Sequence, residues 1–172
     1  MTLKNDLRIG NFVKDATLGL CQITGIYNKT AWVYQRFGDE KEVSIEELEP
    51  VELSTDWLLA FSFLMNNKRI KQNGKDWKER KAIGECFQES WTIEFPTSLT
   101  NKSGSQSYFT VYKDYCPNCE NIKDKYTFFT QAKQQVTYQK AYVHVLQNML
   151  YQIFHLDIKI KDFRYIDNKN NS

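Results

Sequence analysis

Apolar and polar positions alternate in short runs through the first third of the chain and shift to helical spacing towards its end. From residue 8 to residue 53 the runs are punctuated by turn residues at even intervals, a pattern that predicts strands. Asn11 to Lys14 predicts the first strand, Asp15 to Gly19 a loop, and Leu20 to Tyr27 a second strand. Gly25 interrupts that second strand, where a bulge or sharp bend is expected. Asn28-Lys29 is a tight turn into a third strand, Ala31 to Phe37, with Trp32 and Tyr34 on one side and Ala31 and Val33 on the other. Gly38-Asp39 turns into a fourth strand around Glu42 to Ile45, and Ser44 with Glu47 has capping-box spacing for one helical turn, Ile45 to Leu48. Pro50 to Leu53 reads as a fifth, edge-like strand. Five short strands with a helical turn before the last is the layout of a small Src-homology-3-like or Tudor-like β-barrel, an architecture that serves many functions.

Beyond residue 53 the period changes. Ser54 or Thr55 can cap a helix running to about Asn66, with Asp56 in its first turn and Trp57, Leu58, Phe61 and Leu64 on one apolar face. Asn67 to Ala82 is polar and basic, with Gly74 as a breaker. Trp91 to Phe95 alternates like a strand, and Thr97 to Ser107 has the composition of a flexible loop. Tyr108 to Tyr115 and Lys125 to Thr130 predict a hairpin rich in aromatic and β-branched residues. The clearest helix spans about Tyr138 to His155, with Tyr142, Val145, Leu146, Met149, Leu150, Ile153 and Phe154 on its core face. Asp157 to Ile166 reads as a returning strand, and residues 167–172 as a frayed tail. The expected fold is therefore α+β: a small β-barrel over 1–53, then over 54–166 a helix and an antiparallel sheet packed by one long C-terminal helix.

Composition narrows the class. The chain has 172 residues, 41% hydrophobic and 26% charged, which is ordinary for a globular protein and excludes a disordered or collagen-like one. No apolar run approaches the ~20 residues of a membrane span, and MTLKNDLRIG has no signal-peptide core, so a cytoplasmic protein with reduced thiols is expected. The net charge of +2 excludes a uniformly basic nucleic-acid coat, yet the charges are segregated. From Asp39 to Leu53 seven acids (Asp39, Glu40, Glu42, Glu46, Glu47, Glu49, Glu52) face one base, Lys41, a local balance of −6. From Lys68 to Lys81 seven bases (Lys68, Arg69, Lys71, Lys75, Lys78, Arg80, Lys81) stand against Asp76 and Glu79, a balance of +5, with Trp77 among them. Bases interleaved with an aromatic can contact phosphates and stack on a base; they can equally form a solvated face. The acidic strip is either a solvated edge or a surface for a basic partner.

Few residues carry catalytic signatures. Cys116-Pro117-Asn118-Cys119 has the spacing of half a tetrahedral zinc site, which Cys86, Cys21 or the histidines would have to complete across the fold. Structural thiols are the first reading, and a redox dithiol is disfavoured because the motif falls in a hairpin loop. His144 and His155 lie about 16 Å apart on one helix and cannot share an ion. His144 reads as a surface or half-buried structural residue. No nucleophile elbow, phosphate-binding loop, dinucleotide-binding glycine pattern or zinc-protease motif is present, so a non-enzyme with no required cofactor is expected.

Three segments together resemble a family of uncharacterised bacterial proteins, often encoded by phages or prophages. They are Leu7-Arg8-Ile9-Gly10-Asn11, the stretch Glu49 to Leu59 (EPVELSTDWLL), and Tyr142-Val143-His144-Val145-Leu146-Gln147-Asn148. The family pairs an LRIGN start with an EPIPLTEEWLLKFGF-like hinge and a YVHQLQN-like helix. Here the hinge departs at Ala60 and Ser62, where a basic residue and a glycine are usual, and about residues 67 to 107 look like an insertion. The resemblance implies architecture and a mobile-element context, with no activity or catalytic residue. The leading expectation is a non-catalytic protein that occupies a host macromolecule, inhibition of a defence nuclease being one form. A nucleic-acid-binding module using residues 68–81, and a zinc- or thiol-dependent protein centred on Cys116 and Cys119, are the alternatives.

Overall fold

The computed structural model describes residues 6–35, 38–70, 87–95, 107–115, 124–129, 135–160 and 166. It is α+β, with two antiparallel five-stranded sheets and one main helix. Two compact units emerge: Met1–Leu53 with Tyr142–Lys159, and Ser54–Ala141 with Ile160–Ser172.

The first unit's strands are β1 (Phe12–Asp15), β2 (Gly19–Tyr27), β3 (Thr30–Tyr34), β4 (Glu40–Ser44) and β5 (Glu49–Pro50), ordered β4-β3-β2-β1-β5. The expected bulge is present, as a register shift between Ile23 and Gly25 against β3. Asn28 takes the left-handed conformation of the tight turn, with φ 54°. A 3-10 turn, Ile45–Glu47, precedes β5, and the Ser44 hydroxyl accepts from the Glu46 amide at 3.2 Å. Alternation puts Val13, Cys21, Ile23, Ala31 and Val33 into one core with Ile45 and Leu48. β4 and β5 are the edges of this sheet, and no pairing between them closes a barrel among the described residues.

The main helix, α2 (Val143–Phe154; α1 is given below), belongs to this unit and not to the second sheet, as the apolar stripe alone had implied. An apolar stripe shows that a face is buried without naming its partner; polar side chains decide it here. Gln147 donates from Nε2 to the Gly10 carbonyl at 2.8 Å and accepts from the Phe12 amide at 2.9 Å. Asn148 Oδ1 accepts from Arg8 Nε at 2.8 Å and from Asn11 Nδ2 at 2.9 Å. The Arg8 guanidinium also pairs with Asp157 at 2.6 Å and lies 4.2 Å from the centre of the Tyr151 ring. At the entry to α2 the Val143 amide donates to the Val51 carbonyl at 2.9 Å, and Glu52 bridges to Tyr142. Segments 7–11, 49–53 and 142–148 thus meet in one unit. Val143 to Gln147 are all buried, a wrapping wider than the stripe. The helix starts at Val143 rather than Tyr138, and residues 155–160 are irregular rather than strand. The rest of the expected returning strand, apart from buried Ile166, and the tail 167–172 lie outside the described residues.

The second unit opens with α1 (Thr55–Ala60), capped by Ser54, whose hydroxyl accepts from the Trp57 amide. The helix ends about six residues before the expected Asn66. The Ser62 amide donates to Leu59 and the Phe63 amide to Leu58, both at 2.8 Å, which is the Schellman closure. Its left-handed position is Ser62, at φ 66°. Glycine normally signals this stop, so a serine hides it in the sequence. Replacing Ser62 by Gly is expected to stabilise the unit by about 0.5–1 kcal/mol, since a non-glycine residue there costs roughly 1–2 kcal/mol and glycine loses part of that gain through its freer unfolded state. Urea titration checks it, and an unchanged or lower midpoint would refute it.

The chain then enters β6 (Leu64–Ile70), β7 (Phe87–Phe95), β8 (Ser107–Tyr115), β9 (Lys125–Phe129) and β10 (Gln135–Tyr138), in the order β10-β9-β8-β7-β6. β6 falls where the helix and the polar stretch had been expected, which leaves Leu64 68% exposed instead of on a helical core face. β10 has no counterpart among the expected elements and overlaps the expected helix only at Tyr138. One face of the sheet buries Trp91, Phe95, Phe109, Val111, Tyr126 and Phe128. The other is polar, with Thr92 beside Thr110 and Thr127 beside Thr137, each at 3.2 Å between hydroxyls.

Candidate functional site

The outer side of β2-β3-β4 places aromatic rings beside carboxylates. Register pairs Trp32 with Glu42 and Tyr34 with Glu40 across β3 and β4, so all four lie on the face opposite Ala31 and Val33. Trp32 is 42% and Tyr34 45% exposed, whereas Trp57 and Trp91 are buried at 5% and 3%. Tyr27, 72% exposed, ends β2 on the same face, in register with Thr30. Gly25 sits opposite Trp32, and a methyl group built there would come within 3.5 Å of the indole, so the ring lies across the side-chain-free position. The Thr24 hydroxyl, carried by the bulge, contacts both the Trp32 carbonyl, at 3.2 Å, and the Glu40 carboxylate. Lys41 is in register with buried Val33, on the opposite side of β4 from Glu40 and Glu42. Among the described residues no ion pair reaches Glu40 or Glu42.

The six acids expected to form one partner face are divided. Glu40 and Glu42 join the aromatics, and Asp39 precedes them at the start of β4. Glu46 and Glu47 belong to the 3-10 turn. Glu49 lies on β5 in register with Lys14 of β1. Sequence proximity put them in one strip, but the turn between Ser44 and Glu49 carries the chain from one sheet edge to the other.

Of the expected basic surface only Lys68 is described with its side chain. Arg69 is in β6, and Lys71, Lys75, Trp77, Lys78, Arg80 and Lys81 lie outside the described residues. Lys68 is already engaged: its ammonium is 3.5 Å from Glu89 and within 5.3 Å and 5.6 Å of the Phe87 and Tyr115 ring centres. The Tyr115 oxygen beside it, with Glu89, holds this ammonium above its usual pKa. Cys116 and Cys119, and with them Cys86, also lie outside the described residues. Cys21 is 1% exposed in the first core, and burial, assisted by the charge of Asp15, pushes its thiol up to about 11. A protonated thiol closed off from solvent is a poor metal ligand and a poor nucleophile. Among the described residues no cluster of three or more His, Cys, Asp or Glu side chains could hold a metal ion. His144 is more buried than expected, 3% exposed, with its Nδ1 unpaired, and burial lowers its pKa.

One cluster escaped the sequence reading. Glu89, 7% exposed on β7, accepts from the Tyr115 hydroxyl at 2.7 Å and from Trp91 Nε1 at 3.3 Å besides pairing with Lys68. Lys113, in register with Glu89, reaches Asp124 at 3.1 Å and the Thr55 hydroxyl at 3.5 Å. Strict alternation does point Glu89 inward with Trp91, which is the signal that could have found it. All its groups are satisfied by one another, so the cluster organises the sheet. On the polar side of the same sheet, Asn67, Gln88, Ser90 and Tyr112 line a shallow cavity of about 100 Å³. No helix among the described residues is long and apolar enough to cross a membrane. No family model matches the chain, and neither a curated protein nor a solved structure does.

Proposed function

We propose that the protein is a non-catalytic binding protein that acts by occupying a macromolecular partner, and that it engages this partner through the outer face of β2-β3-β4. The observation that carries the reading is the exposure of Trp32 and Tyr34 beside Glu42 and Glu40, away from a core that closes without them. Tryptophan and tyrosine dominate interface hot spots because each buries a large rigid surface at little entropic cost. We take a small Src-homology-3-like barrel as this unit's architecture, a reading supported by five antiparallel strands in the order β4-β3-β2-β1-β5. A phage or mobile-element setting, with a host defence nuclease as partner, suits the chemistry. Nucleic-acid enzymes present basic surfaces to phosphates, and acids flanked by rings offer such a surface both charge and stacking faces. The nucleic-acid-binding alternative draws no support from Lys68, whose charge is committed to Glu89 and Tyr115.

The test is capture from bacterial host lysate at low salt, comparing the wild-type chain with a Trp32→Ala/Tyr34→Ala double variant. One stoichiometric partner retained by the wild type and lost by the variant is the expected result. Absence of any stoichiometric partner, or equal capture by both proteins, would count against the reading.

A further inference from the structure

We infer, resting on the reading that this face engages a protein, that its occupant is an extended segment carrying arginine at every second position. The inference comes from register. Trp32–Glu42 and Tyr34–Glu40 are successive aromatic–acid pairs on one side of β3 and β4, two residues apart on each strand. Alternate residues of a strand repeat at about 6.8 Å. An extended partner segment repeats its own alternate side chains at the same interval, so two cations spaced this way meet both pairs at once. Adjacent cations would send every second one away from the face.

The chemistry of each pair selects a guanidinium. A planar cation can lie on a ring face while its N–H fork engages the neighbouring carboxylate; a lysine ammonium makes these contacts less completely. Both halves of the receptor are fixed in advance. The indole of Trp32 lies across Gly25, and Thr24 holds Glu40 while leaving carboxylate lone pairs for a second donor. Among the described residues of β2, β3 and β4 no base competes on this face, because Lys41 is turned to the other side of β4. β4 is an edge strand, so a segment can run alongside it without displacing another. The negative charge of Glu40 and Glu42 calls for a cationic occupant, and the rings exclude a purely electrostatic one.

The experiment measures fluorescence anisotropy of two labelled peptides of identical composition against the full chain at low salt. One carries two arginines separated by a single serine and the other has the same two arginines adjacent, both in a serine background. The alternating peptide is expected to bind about ten-fold tighter, from one additional ring-and-carboxylate contact. Trp32→Ala should weaken it about five-fold, and Trp32→Phe much less, since the ring face remains. Glu42→Lys should weaken it more than about ten-fold, and raising salt to about 0.5 M should do likewise. Glu94→Lys, which makes the same change of charge at an exposed site in the second unit, should leave binding unaltered. Equal affinity for the two peptides overturns the inference, as does equal damage from Glu94→Lys and Glu42→Lys or no binding of either peptide. If the lysate partner is still lost on Trp32→Ala/Tyr34→Ala while the peptides are not distinguished, the face stands as the interface and the alternating-arginine occupant falls.

Discussion

Replacing Gln147 by leucine is expected to destabilise the first unit by about 2–3 kcal/mol, although the two side chains are close in volume. The amide is 1% exposed and works at both ends, donating to the Gly10 carbonyl and accepting from the Phe12 amide. Leucine keeps the packing and removes both bonds. The Gly10 carbonyl retains a bond from Gln22 Nε2 at 3.1 Å, so the larger loss falls on the Phe12 amide, which gives up the acceptor that Gln147 supplies. A buried polar group deprived of its partner costs about 1–3 kcal/mol, which sets the estimate. Gln147→Glu should be at least as damaging, because it keeps the acceptor for Phe12 but sets a carboxylate against the Gly10 carbonyl. Urea unfolding followed by the helical circular-dichroism signal reads the loss. A Gln147→Leu midpoint within about 0.5 kcal/mol of wild type would show that the amide does not fasten α2.

Truncating Phe109 to alanine should cost the second unit more, about 3–5 kcal/mol, the usual range for a fully buried phenylalanine. Phe109 is 0% exposed at the centre of the buried face of the sheet, its ring centre 6.0 Å from that of Phe128, which is also inaccessible. Sheet neighbours hold their backbones through the ladder and cannot collapse into the space as loop residues can, so a cavity should persist. Trp91, 3% exposed on the same face, provides a fluorescence signal for this unit's unfolding. A loss below about 1 kcal/mol would mean that the face repacks and that its aromatic pairing is not what stabilises it.

The small strands of the first unit were legible because alternation and turn chemistry agreed at nearly every position. Ala31 and Val33 fell inside and Trp32 and Tyr34 outside, as their spacing required, and Gly25 marked the bulge. Errors arose where a local signal was missing or ambiguous. α1 lacked the glycine that would have ended it, so its apolar period appeared to run on through Leu64 into what is β6. β10 left no clear signal because Gln135 to Tyr138 is short, and three of its four residues are exposed. The partner of α2 could not be read from its stripe, since Gln147 and Asn148 choose it through hydrogen bonds to residues near the other end of the chain. The candidate face was half legible: the alternation gave the two rings, while the pairing of each with a glutamate depends on the β3–β4 register, which no single strand encodes.

The bond between Arg8 and Asn148 joins positions 140 residues apart, and that separation governs how the first unit comes into being. During synthesis its five strands emerge before α2, and the amides and guanidinium that wait for α2 stay hydrated until residues 147 and 148 have been made. The first unit therefore completes only after the long segment of the second, Ser54–Ala141, has been made. The entropy of closing such a loop grows only with the logarithm of its length, by roughly 0.6 kcal/mol for each doubling. Evolution can lengthen or shorten the stretch between Leu53 and Tyr142 at little penalty to the first unit, whereas a small deletion within 142–159 strikes its fastening directly.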